Sequence, residues 1–396
     1  MLTNEQKQKF EEVMKYYFEN RWRLDDVFEK ETYTNRFKEQ FNSFSNEEKI
    51  EAVKQKGDII RFIENPSEEV QLAAVKQDGY AIRFIDNPSE KVQLEAVREN
   101  DYAIKHIENP TEKVQLEIID KDYRNIAILE SPTEKVQMVT VQRNGEMIEY
   151  IKNPGKAVQL EAVQQNPWNI RLIKNPTEET KLEAVKRNGF SIQFIENPTD
   201  EMKLEAVKKN GMSIENIKNP TEEMKLEACK SEGGAIRYIE NPTEEMKLEA
   251  CKSYGWAIEY IENPTDEMKL AAITQNPYVI REVENPTEEI QLKVVKENSE
   301  LIKDIKNPTE KVQKLVVLKN PELIYSIESP TQNVIALYNA CSDTEYDPEK
   351  TANNKCSDCD DDYEDDYEFD ESEYLDDNED EQSDYSDYDD SENNNL

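Results

Sequence analysis

Isoleucine sets the rhythm of this chain. It stands at Ile60, Ile82, Ile104 and every 22nd residue onward to Ile324, and three residues after each copy comes Ile, Leu or Val, as at Ile63, Leu129 and Val283. An apolar pair at i and i+3 shares one face of a helix. Elsewhere in each copy Val70, Leu72, Ala74 and Val75 return as apolar types, with polar residues between them. These four positions do not form one stripe. The helix that carries them is therefore expected to touch neighbours on more than one side, as the inner layer of a stack must.

Proline punctuates the same rhythm. Thirteen of the 17 prolines, from Pro66 to Pro330, lie 22 residues apart, and a fixed period of that length signals stacked repeats. In Asn65-Pro66-Ser67-Glu68 the pattern predicts Asn65 as N-cap, Pro66 at the first helical position and Glu68 at the third, where it could close a capping box. The helix then runs through EEVQLAAVKQ. Gly79 is expected to stop it in a left-handed conformation, and Pro167, Pro277 and Pro321 keep the break in other copies. A second, shorter helix (YAIRFID) leads to the next Asn-Pro. Neither helix would persist alone in water.

The fold predicted is therefore all-α: an α-solenoid over residues 43–340, built of about 13–14 two-helix units in the style of HEAT repeats. Residue 43 opens a degenerate first copy with Phe44 in place of the proline. Residues 1–42 are aromatic-rich and helical in period, and are expected to form a helical cap over the first repeat.

Charge adds a third region. The chain of 396 residues carries a net charge of −38. Residues 341–396 hold 25 acidic and two basic side chains, a charge of −23, which leaves −15 for the first 340. Such a tail cannot bury enough apolar surface to offset chain entropy, and it reads as disordered. A field of this sign repels nucleic acid and anionic membrane and attracts a protein with a basic surface. No apolar run of signal-peptide or membrane-spanning length occurs, so the expectation is a soluble, cytoplasmic protein. Five cysteines without framework spacing fit a reducing compartment.

Chemistry is sparse. Cys229 and Cys251 take the place of Val75, Val97 or Val207 in other copies and read as core. Cys356 and Cys359 form a lone CxxC, a weak zinc signal. The single histidine, His106, replaces an aromatic residue. Acidic pairs such as Glu222/Glu223 recur in register at the helix starts, where they suit the helix dipole or would line up as a charged rail for a basic partner. No nucleophile, phosphate-binding or metal-ligand motif is present, so no catalytic residue, cofactor or metal is expected.

Variation falls in the short helix. Tyr80, Tyr102, Trp168, Phe190, Trp256 and Tyr278 occupy one of its positions. Arg83, Arg171, Arg237 with Tyr238, Tyr260 and Arg281 occupy the two after the constant isoleucine. A constant core with changing aromatic and Arg positions is how repeat arrays present a binding face. In the tail, Tyr363, Tyr367, Phe369 and Tyr374 alternate with acids and could fold onto a basic, apolar groove.

The units VQLEAVQQNPWNIRLIKNP and TKLEAVKRNGFSIQFIENP resemble the short helical repeats of a domain-of-unknown-function family found in bacteria, phages and large viruses. The resemblance covers residues 43–340 and rests on the LEAVKxNG core with its following aromatic and Ile. It implies an α-solenoid without enzymatic activity, and no functional residues carry over. The function expected is a non-enzymatic scaffold or adaptor that binds a protein partner on its surface, aided by the tail. The alternative is a phage or viral antagonist that mimics nucleic-acid charge to occupy a basic or nucleic-acid-binding host protein.

Overall fold

The structure, a computed structural model, describes residues 4–25, 29–342 and 345–347. Every regular element among the described residues is helical. The chain divides into two compact units, Met1–Pro308 and Thr309–Leu396.

Each repeat pairs a ten-residue α-helix, such as Glu68–Gln77, with a six-residue 3-10 helix, such as Gly79–Phe84. The short element is thus a 3-10 helix where a second α-helix was expected. Six residues close too few i→i+4 bonds to hold an α-turn, whereas i→i+3 bonds satisfy a short run. The same geometry superimposes residues three apart, so Ile82 and Ile85 both point inward, 1% and 7% exposed.

The helix starts differ from the sequence expectation. The N-cap is Ser67, or Thr in most copies, one residue beyond the proline; its hydroxyl accepts from the backbone N–H three residues on, as in Val70 N to Ser67 Oγ at 3.4 Å and Met202 N to Thr199 Oγ1 at 3.2 Å. Asn65 is not the cap. It and Asn87, Asn197, Asn219, Asn241, Asn263, Asn285 and Asn307 are left-handed, with φ between 46° and 56°. The proline ring bars the right-handed helical region to the residue before it, and Asn tolerates positive φ better than most residues. With the cap at Ser67 the third helical position is apolar, so Glu68 closes no capping box. Ser45 and Glu48 of the first copy do form one.

The stop also differs. Asp78 is extended, Gly79 opens the 3-10 helix, and no glycine has positive φ. Glycine is needed there for proximity: a Cβ on Gly79 would lie 2.6 Å from the carbonyl oxygen of Ala96 in the next repeat.

The core lies between a row of α-helices and a row of 3-10 helices. Within Met1–Pro308 nearly every repeat α-helix meets its α-helical neighbours and the 3-10 helices of its own and the preceding repeat. Val70, Ala74, Val75 and Ile82 are sealed there, while Leu72 is half-buried. Polar clamps tie consecutive copies. Gln159 donates to the Pro154 carbonyl at 3.0 Å and accepts from Thr177 N in the next repeat at 2.9 Å. At the other end of the α-helix, Lys121 reaches back to the Val97 and Arg98 carbonyls at 3.0 and 2.7 Å, satisfying groups that a helix terminus leaves open. In the copies from Lys181 to Lys269 lysine replaces the clamp glutamine and pairs with the acid opening its helix, as Lys225 does with Glu222 at 2.8 Å.

The N-terminal helices Asn4–Asn20 and Lys30–Asn42 pack aromatic side chains against the first repeat. Tyr17, Phe37 and Phe41 are fully buried around Phe62, and the Tyr17 hydroxyl donates to Asp58 at 3.0 Å. Asn42 donates to the Phe62 carbonyl at 3.0 Å and accepts from Glu64 N at 2.8 Å.

The unit Thr309–Leu396 closes differently. Tyr338 of the helix Gln332–Cys341 stands where other copies carry Ala74 or Ala96, and its hydroxyl lies 3.2 Å from that of Tyr325. Tyr346, which falls 22 residues after Ile324, stacks on Tyr325 with ring centroids 5.8 Å apart, and its N–H donates to Asn339 at 2.8 Å. Residues 345–347 therefore supply the inward-facing residue of one further half-repeat. The rest of the tail, with Tyr363, Tyr367, Phe369, Tyr374 and the Cys356–Cys359 pair, lies outside the described residues. A chain ending after Ser342 is expected to be less stable than one ending after Asp347 by about 1–2 kcal/mol, the scale of a lost aromatic contact plus its burial. Coincident urea-denaturation curves for the two would contradict this.

Candidate protein interface on the 3-10 row

Most of the 3-10 helices are held by an Asn or Asp just before them. Asp78 Oδ1 accepts from Tyr80 N at 3.0 Å, Asn100 from Tyr102 N at 3.0 Å, Asn166 from Trp168 N at 2.9 Å and Asn276 from Tyr278 N at 3.0 Å. Sequence reasoning passed over this position, although its recurring Asn/Asp is an Asx-turn signature. The bond anchors the backbone of the residue whose identity varies most.

Consecutive 3-10 helices adjoin, and their variable side chains interlock in a fixed register. The first variable position of one copy meets the last of the next: Tyr80 and His106 are edge-to-face with centroids 5.7 Å apart, Trp168 and Phe194 likewise at 5.3 Å. Elsewhere arginine makes the link. The Arg281 guanidinium lies over the Trp256 ring at 4.6 Å, and Arg237 bonds the Tyr238 hydroxyl at 2.9 Å and the hydroxyl of Tyr260 in the next copy.

The predicted residues therefore separate into two groups. Tyr80, Trp168, Phe190, Tyr238 and Trp256 are half-buried; four of these five make inter-residue ring or hydroxyl contacts of the kinds just described. Tyr102, Tyr260 and Tyr278 are 52, 40 and 56% exposed, and Arg83, Arg171, Arg237 and Arg281 also reach solvent. Tyr150, 50% exposed at the position of Tyr238 and Tyr260, belongs with the exposed group and was missed as a site residue. Acids interleave with them: Glu149, Glu259 and Glu282 are exposed, and Asp304 takes an aromatic position, where burial holds its carboxyl above the usual range against Lys303 and Arg281.

Cys229 and Cys251 are sealed among core side chains, and burial pushes their thiols up to about 12 and about 11. His106 is exposed against Tyr80. Among the described residues no group of three His, Cys, Asp or Glu side chains could hold a metal ion, and no helix is long and apolar enough to cross a membrane.

The split between interlocked and exposed rings is measurable. Trp168→Ala should cost about 2 kcal/mol of stability through lost burial and the Phe194 contact. Tyr102→Ala and Tyr278→Ala should each stay within about 0.5 kcal/mol. Denaturant unfolding of the three variants checks this, and equal losses would erase the distinction.

Comparison with known protein families, with curated proteins and with solved structures gives no match to this chain.

Proposed function

We propose that the repeats form an α-solenoid that serves as a non-enzymatic protein-binding scaffold, with the partner seated along the row of 3-10 helices. One observation carries this reading: on a core that hardly changes from copy to copy, Tyr102, Tyr150, Tyr260 and Tyr278 are 40–56% exposed in equivalent rows. A tyrosine offers a large apolar face and a hydroxyl at little cost in side-chain freedom, which is why such residues dominate binding energy at interfaces. Asx bonds hold the backbone N–H of Tyr102 and Tyr278, so little ordering remains there to oppose association. The net charge of −38 favours a partner with a basic surface and disfavours nucleic acid and anionic membrane. A cytoplasmic location follows from the same reading.

The test is affinity capture from the source cells with full-length protein, set beside a Tyr260→Ala/Tyr278→Ala double variant of unchanged thermal stability. A specific partner should be retained by the parent and lost by the variant, at least tenfold by quantitative mass spectrometry. Equal recovery by both would remove the exposed tyrosines from the interface.

A further inference from the structure

Most cations of the α-helical row have an acid within ion-pair distance. Lys225 pairs with Glu222, Lys230 with Glu227, Lys247 with Glu244 and Lys252 with Glu249, all at 2.8–3.1 Å. In a chain with 87 acidic and 49 basic side chains, that outcome is expected. The first three complete 3-10 helices depart from it. Arg61, Arg83 and Lys105 occupy the same register in consecutive copies, and among the described residues none has a hydrogen-bond or ion-pair partner. The carboxylates three residues along each copy, Glu64, Asp86 and Glu108, do not pair with them either.

What these cations contact instead is aromatic. The Arg61 guanidinium lies over Phe62 at 4.7 Å and over Phe84 of the next copy at 5.6 Å, with its Nε buried and unbonded. Arg83 lies over Phe84 at 4.5 Å, and the Lys105 ammonium over Tyr102 at 5.2 Å. Stacking of this kind holds a guanidinium in place while the N–H groups outside the stack can meet a carboxylate, which for Arg61 excludes the buried Nε. The cations also cover the ring faces, so the rings are not free platforms for nucleic-acid bases. Helical repeats pack roughly 8–10 Å apart, and an extended peptide in the polyproline II conformation advances about 3.1 Å per residue with about three residues per turn. One cation per repeat therefore meets every third residue of such a segment, on one face.

We infer that Arg61, Arg83 and Lys105 form a docking row for an acidic, extended peptide segment of a partner protein, one that presents a carboxylate at every third residue. This does not rest on the exposed-tyrosine reading above, because it is carried by the unpaired cations alone. The row selects carboxylates by charge and by the guanidinium fork, and Tyr102 beside it can cover an apolar side chain of the same segment.

The test is fluorescence anisotropy with full-length protein and a labelled (Asp-Gly-Tyr)4 peptide, against (Asn-Gly-Tyr)4 and a 12-nucleotide oligo-dT. The acidic peptide should bind at least tenfold more tightly than either control, and should weaken steeply as salt rises. Arg83→Glu/Lys105→Glu should weaken it at least tenfold, Arg83→Lys should weaken it to a smaller extent through loss of the fork, and Lys252→Glu should leave it within twofold. An unaffected charge-reversal variant, no preference over the Asn peptide, or a preference for oligo-dT would each overturn the proposal. Binding that appears only after residues 348–396 are removed would assign the row to the chain's own acidic segment and overturn the assignment to a partner.

Discussion

A contact between a glycine and a carbonyl oxygen governs how this molecule is spaced. At the start of the 3-10 helix in Met1–Pro308, Gly57, Gly79, Gly189, Gly211, Gly233 and Gly255 sit so close to the next α-helix that an added Cβ would lie 2.2–2.7 Å from the carbonyl oxygen of Ala74, Ala96, Ala206, Ala228, Ala250 or Ala272. Real Cβ atoms do not approach oxygen that closely, so the backbone spacing and the absence of a side chain imply each other. The residue across the contact follows suit. It is alanine opposite each of these glycines, but Ile118 opposite Asp101, Thr140 opposite Tyr123 and Val294 opposite Pro277. The α-helices flanking the last two bulkier pairs pack less closely than their glycine–alanine counterparts.

The rest follows from that spacing. Close α-helices allow short polar side chains to clamp one copy to the next, as Gln159 does, and allow helix ends to be satisfied by the neighbouring repeat, as Lys121 does. Adjoining 3-10 helices put a ring of one copy against a ring or guanidinium of the next. Tyr80, Trp168, Tyr238 and Trp256 are consumed in this way, and their contribution is cohesion of the row. Tyr102, Tyr150, Tyr260 and Tyr278 remain exposed beside them, and Arg61, Arg83 and Lys105 are presented on the same footing. A repeat that devotes its invariant residues to spacing is free to vary only a few outward positions, and those are where binding chemistry can differ between copies.

Much of the fold was legible because the sequence repeats its packing positions without drift. Val70, Ala74, Val75 and Ile82 could be assigned to the core from periodicity alone, and all four are sealed. The misreadings have physical causes. Asn65-Pro66-Ser67 offers two plausible caps, and the restriction that a proline places on its predecessor suits a cap as well, so it does not choose between them. Gly79 could signal either a left-handed stop or a close approach, and a single chain gives no view of the Ala96 carbonyl that makes it the latter. The short element carries an i, i+3 apolar pair that α- and 3-10 helices both satisfy, so its type was hidden until its length limited it to i→i+3 bonds. For the candidate site, the variable positions were visible as variation, but which rings lock and which face water depends on partners 26 residues away, as Trp168 and Phe194 are. No local pattern encodes that.

Two adjacent glycines allow the spacing constraint to be measured on its own. A Cβ on Gly233 would meet the Ala250 carbonyl oxygen at 2.2 Å, whereas one on Gly234 would have its nearest neighbours, Tyr254 and Met212, at 3.8–3.9 Å. Urea unfolding of the full-length Gly233→Ala and Gly234→Ala proteins compares a forced displacement with an ordinary contact in the same helix. Gly233→Ala should lose about 1–3 kcal/mol, the range for overpacking a tight site, and Gly234→Ala should match or slightly exceed the parent through reduced freedom of the unfolded chain. Indistinguishable midpoints for the two variants would contradict the account.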